Sequence, residues 1–106
     1  MEQKSVYNII TAQQINGVWG IADVAFSTTS FRKAQMQMQT IIDLTERGEW
    51  FVGRSENHYE IISNEYPPIL KQPRFVWDIM IKCVETGVLV LYRMIESPLN
   101  SMYISK

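Results

Sequence analysis

A chain of 106 residues, 46% hydrophobic and 20% charged, suits one folded domain with a single core and excludes a disordered chain. A net charge of −1 and a pI near 5.8 argue against non-specific duplex binding, which shows as a basic surplus. Cys83, the one cysteine, excludes an intramolecular disulfide and points to a reducing, cytoplasmic compartment.

The N-terminal residues lack the basic start and apolar run of a signal peptide, and no apolar stretch approaches the roughly 20 residues of a membrane helix. Abundant Ile, Met, Asn, Lys, Tyr and Phe against sparse Ala, Gly, Arg and Pro is the usage of AT-rich genomes, such as those of phages, mobile elements and low-GC bacteria.

Asn16-Gly17 is the pair favoured in a two-residue type I′ turn, where both positions need positive φ. Pairing outward sets Ile15 opposite Val18, Thr11 opposite Ala22, Ile9 opposite Val24 and Tyr7 opposite Phe26, all eight on one face of a hairpin over 5–27. The other face carries Asn8, Gln14 and Asp23 but also Ile10, Ala12, Trp19, Ile21 and Ala25, too apolar for a solvated sheet face.

Residues 27–30 (Ser-Thr-Thr-Ser) offer N-caps for a helix over 30–47. Phe31, Ala34, Met38, Ile41, Ile42 and Thr45 form its apolar stripe, and Gly48 ends it. A second hairpin is expected from 50–54 and 58–63, with Phe51, Tyr59 and Ile61 toward the core and Trp50, Val52, Glu60 and Ile62 opposite. Tyr66-Pro67-Pro68 ends that strand.

Pro73 and Gly87 bracket a predicted second helix over 73–86, apolar almost all round except for Arg74, Asp78 and Lys82. Then come a central apolar strand, 88–95, a turn at 97–100 and a short last strand, 102–105. The expected architecture is one α+β domain over 1–106, an antiparallel sheet built from hairpins with two helices in the order ββ-α-ββ-α-ββ.

Four groupings have chemical potential. Glu56, His58 and Glu60 alternate along one strand face and are metal-ligand and acid–base residue types, yet alternate strand positions stand roughly 6.5–7 Å apart, too far for one ion without outside ligands. Ser30, Arg32 and Lys33 at a helix start suit an anion, although the same residues serve plain capping. Trp19, Trp50 and Tyr92 with Arg54 and Arg93 could stack single-stranded nucleic acid, or simply pack. Cys83 on an apolar stretch reads as a buried thiol.

The apolar surplus is collective: Ile10, Trp19, Ile21, Trp50, Val52 and Ile62, with Met36 off the helix stripe, exceed what two helices on one sheet face can cover. The expectation is a non-enzymatic interaction module binding a protein partner or itself, with no catalytic residue, cofactor or metal assigned and no membrane role. A nucleic-acid module using the sheet aromatics with Arg32 and Lys33, and Ser30 and Arg54 as further contacts, is the first alternative, and a small metalloenzyme centred on His58 the second.

Overall fold

The computed structural model describes residues 5–47, 58–66 and 74–98. These form β1 (Ser5–Ile15), β2 (Val18–Trp19), β3 (Asp23–Thr28), α1 (Phe31–Arg47), β4 (Tyr59–Glu65), β5 (Phe75–Cys83) and β6 (Leu89–Pro98). The strands make one sheet in the order β2-β1-β6-β5-β4, with β3 also paired to β1, and every pairing is antiparallel. The α+β class holds. The element order does not, because the described residues contain one helix rather than two.

The first turn forms as its residues dictate: Asn16 and Gly17 take φ of 54° and 79°, and Ile15 faces Val18. Beyond Trp19 the expected ladder fails. Residues 20–22 leave the strand, so Thr11 meets Asp23 instead of Ala22 and Ile10 meets Val24. A bulge then leaves Ala25 unpaired, and Ile9 meets Phe26 while Tyr7 meets Thr28. One extra residue exchanges the two faces and a second restores them. Phe26 therefore packs on the face of Tyr7 and Ile9, whereas Val24 stands beside Ile10 on the other, 61% exposed.

The predicted helix over 73–86 is corrected to strand β5. Trp77, Ile79, Ile81 and Cys83 are buried, while Asp78, Met80 and Lys82 between them take the opposite face. An apolar run flanked by Pro and Gly fits a helix and a buried strand alike, and its β-branched and aromatic content decides for the strand. Gly87 (φ 78°) ends no helix. It closes the β5–β6 connection, where its N–H bonds the Cys83 carbonyl at 2.8 Å and the Cys83 N–H bonds the Val88 carbonyl at 2.9 Å. A Cβ at Gly87 would meet nothing within 4 Å, so the left-handed φ alone selects glycine.

α1 covers one face of the sheet. Ser30 caps it, its Oγ accepting the Lys33 N–H at 3.2 Å. Ala34, Met38 and Ile42 meet Ile9, Trp77, Ile79, Ile81, Val90 and Met94, and Ala34, Met38, Ile79, Ile81 and Met94 have no exposed surface. Thr45, buried on the same stripe, satisfies its hydroxyl by donating to the Ile41 carbonyl at 2.8 Å. At one end of the core the Trp77 Nε1 donates to Asn64 Oδ1 at 2.7 Å while the ring stacks on Tyr66.

β6 is central, as expected, paired with β1 on one side and β5 on the other. Tyr59 and Ile61 of β4 pack on the core, as expected, while Glu60 and Ile62 are exposed, with Ile62 at a second bulge. The strands expected at 50–54 and 102–105, with Gly48, Pro67, Pro68 and Pro73, lie outside the described residues.

Candidate interaction face

Alternation along the strands brings a second set of side chains to the face turned away from α1. Register places Ala12 of β1 beside Leu91 of β6, then Met80 of β5 and Ser63 of β4. The neighbouring row runs Ile10, Arg93, Asp78, Glu65. Trp19 of β2 and Ala22 extend the surface past β1, and together these residues line a shallow groove of about 450 Å³. Among the described residues α1 is the one element outside the sheet, and it lies on the opposite face.

An ion pair crosses this groove. Arg93 Nε donates to Asp78 Oδ1 at 2.7 Å and a terminal guanidinium nitrogen donates to Asp78 Oδ2 at 2.9 Å. The fork fits the planar guanidinium and joins β5 to β6. Only 22% of the Arg93 side chain and 13% of the Asp78 side chain are exposed, so both charges are largely out of water. Each is answered by the other.

The structure sorts the residues singled out in the sequence. Ile10 and Trp19 line the groove, Trp19 at 41% exposure. Ile21, 92% exposed, lies with Ile15 and Val18 along a second concavity of about 400 Å³ on the hairpin arm. Ile62 is exposed on β4, and Met36 is exposed on α1, in the layer across the sheet from the groove. Trp50, Val52, Arg54, Phe51 and Glu56 lie outside the described residues. The predicted surface is thus not one patch: Ile10 and Trp19 belong to the groove, and Ile21 and Met36 lie elsewhere.

Missed in the sequence were Ser63, Glu65, Asp78, Met80 and Leu91, all groove residues. A helix over 73–86 would place Asp78 and Met80 on different sides. Reading 77–83 at period two sets Trp77, Ile79, Ile81 and Cys83 against Asp78, Met80 and Lys82, and this signal was available.

Among the described residues the alternative chemistries are not brought together. Arg32 and Lys33 are exposed on the first turn of α1, where Ser30 is occupied by capping. Arg93, weighed as a stacking cation, is held by Asp78. His58 pairs not with Glu60 but with Glu85 in the β5–β6 connection. Its Nδ1 lies 2.6 Å from Glu85 Oε2 and its backbone N–H donates to Oε1 at 2.7 Å.

That clasp holds the Glu85 carboxyl at a pKa of about 2, chiefly through the His58 side-chain hydrogen bond and then the backbone one. A carboxylate so acidic is a poor general base near neutrality. The thiol of Cys83, 2% exposed, donates weakly to Glu85 Oε1 at 3.8 Å. The clasp lines neither groove, and no group of three metal-ligating side chains occurs among the described residues. Beneath α1, burial raises the Tyr92 hydroxyl above its ordinary pKa, against a hydrogen bond with Thr11 that lowers it.

No helix among the described residues is long and apolar enough to cross a membrane. No protein-family model matches this chain, and comparison with curated proteins and with solved structures likewise gives no match.

Proposed function

We propose that this protein is a non-enzymatic interaction module that acts by occupying a partner's surface, as a regulator, inhibitor or immunity-type protein does. The observation that carries this reading is the sheet face opposite α1. It is apolar at the half-buried Ile10, Ala12, Met80 and Leu91 and at the exposed Trp19, grooved, and without a second layer among the described residues. A sheet normally buries its apolar side chains against another layer, and large open apolar patches on soluble proteins mark binding sites. The Asp78–Arg93 ion pair in the groove neutralises itself, which suits recognition by shape and apolar contact more than catalysis.

Site-specific photo-crosslinking in the producing cell tests this. A photoreactive residue at position 80, in the groove, is expected to capture protein. The same residue at position 36, on the exposed side of α1, is expected to capture little. Equal capture from both positions, or none from position 80, removes the reading.

A further inference from the structure

The geometry points to a second copy of this chain as the occupant of the face, the two sheets packing face to face about a two-fold axis. This inference rests on the reading above and names its partner.

β3, β1, β6, β5 and β4 lie side by side, with β1, β5 and β6 running 9 to 11 residues each. At a spacing of roughly 4.8 Å between strands and 3.3 Å per residue, such a face measures on the order of 24 by 30 Å, or about 700 Å². Specific interfaces cover about 800 Å² on each partner. One whole face against its copy therefore supplies a standard interface without help from any other surface.

A face built for an oppositely charged partner would present unanswered charges of one sign. Here Asp78 and Arg93 are joined by two hydrogen bonds, Glu60 and Lys82 stand opposite each other in the β4–β5 register, and the further groove carboxylate, Glu65, sits on the outer strand β4. Covering this surface with an identical one leaves no stranded charge in that central pair. A net charge of −1 per chain adds little repulsion between copies.

Sheets also associate by adding strands, but the two outer strands are both interrupted. The β1–β3 ladder shifts at Ala25 and the β4–β5 ladder at Ile62. Bulges of this kind discourage edge-to-edge pairing. Association is thereby directed to the face, where packed sheets stand about 10 Å apart and side chains such as Met80, Leu91 and Ile10 interdigitate.

Sedimentation of the full chain from low to several hundred micromolar, with Leu91→Glu and Met80→Glu as variants, decides the matter. The wild type is expected to move from 12.4 kDa to twice that mass as concentration rises. Each variant, its fold checked by circular dichroism, is expected to remain at the lower mass, its dissociation constant raised by about 100-fold or more because an unpaired carboxylate would be trapped at the centre of the interface. Should neither variant fold, intermolecular NOEs in a mixture of isotope-labelled and unlabelled wild type replace them, and contacts from the Met80 and Leu91 methyls are expected.

A wild type that stays at 12.4 kDa throughout overturns the inference, as does a dimer that folded variants retain or that lacks those NOEs. The broader reading fails on different evidence, namely a crosslinking pattern at position 80 no different from that at position 36.

Discussion

Breaking the Asp78–Arg93 pair is the most informative perturbation of the face, because a double-mutant cycle separates the pair from its surroundings. Exposed ion pairs contribute about 0.2–1 kcal/mol, whereas removing one partner of a fully buried pair costs about 3–5 kcal/mol. With 13% of one side chain and 22% of the other exposed, and a two-pronged geometry, the pair stands between these limits. We expect Asp78→Leu and Arg93→Met each to cost about 2 kcal/mol, since each leaves a charge on a largely desolvated row beside Ile10. The double variant leaves no charge from the pair and is expected to cost about 2 kcal/mol as well, not 4, giving a coupling near 2 kcal/mol. Urea unfolding at low micromolar concentration measures this, provided the four proteins share one m-value. If the two single losses simply add in the double variant, the pair contributes nothing and the account of a self-neutralised face is wrong.

Three further outcomes follow from the same structure. Met38→Ala, at a site with no exposed surface under α1, removes three heavy atoms and leaves a cavity, so it is expected to cost about 3–4 kcal/mol, read as a lower thermal midpoint. Glu85 has a folded pKa of about 2 against an ordinary 4.5, so its stabilisation is complete above about pH 4.5 and is lost as pH falls toward 2. The stability difference between wild type and Glu85→Gln is accordingly expected to vanish over that range, and in His58→Ala the carboxyl's NMR titration should move up toward 4.5. Deleting Ala25 removes the β3 bulge without moving Ile9 or Phe26 off their shared face, and is expected to preserve circular dichroism while increasing light scattering at high concentration, because a regular edge invites strand addition.

Much of the α1 side of the molecule was legible in the sequence, because local rules and the tertiary result agree there. Asn16-Gly17 forms its turn, Ser30 caps α1, and Ala34, Met38, Ile42 and Thr45 bury the predicted stripe. The failures share a physical cause: strand faces are set by pairing, which a single strand does not display. The offsets at 20–22 and Ala25 carry no local signature, so Val24 was assigned to the wrong face and Phe26 to the wrong partner. The stretch 75–83 fits a helix by its flanking Pro73 and Gly87, and only its β-branched and aromatic content and two-residue period favour the strand that β4 and β6 flank. Half of the groove was therefore hidden. Ile10 and Trp19 were found as an unexplained apolar excess, while Asp78, Met80 and Leu91, which complete the site with them, were not.

The long ladder between β1 and β6 has a consequence for how the chain reaches its native state. Ser5 pairs with Pro98 and Gln14 with Leu89, and a side-chain bond from Ser5 to Glu96 spans 91 residues of sequence. β1 can pair early with β2 and β3, which follow it directly, but its other edge stays open until β6 has been synthesised. Closing so large a loop is entropically slow and rewards the chain only once several rungs have formed, so folding is expected in milliseconds to seconds rather than microseconds. During translation the nascent chain carries β1 with one row of backbone donors and acceptors unmet, and β6 completes the sheet by entering between β1 and β5.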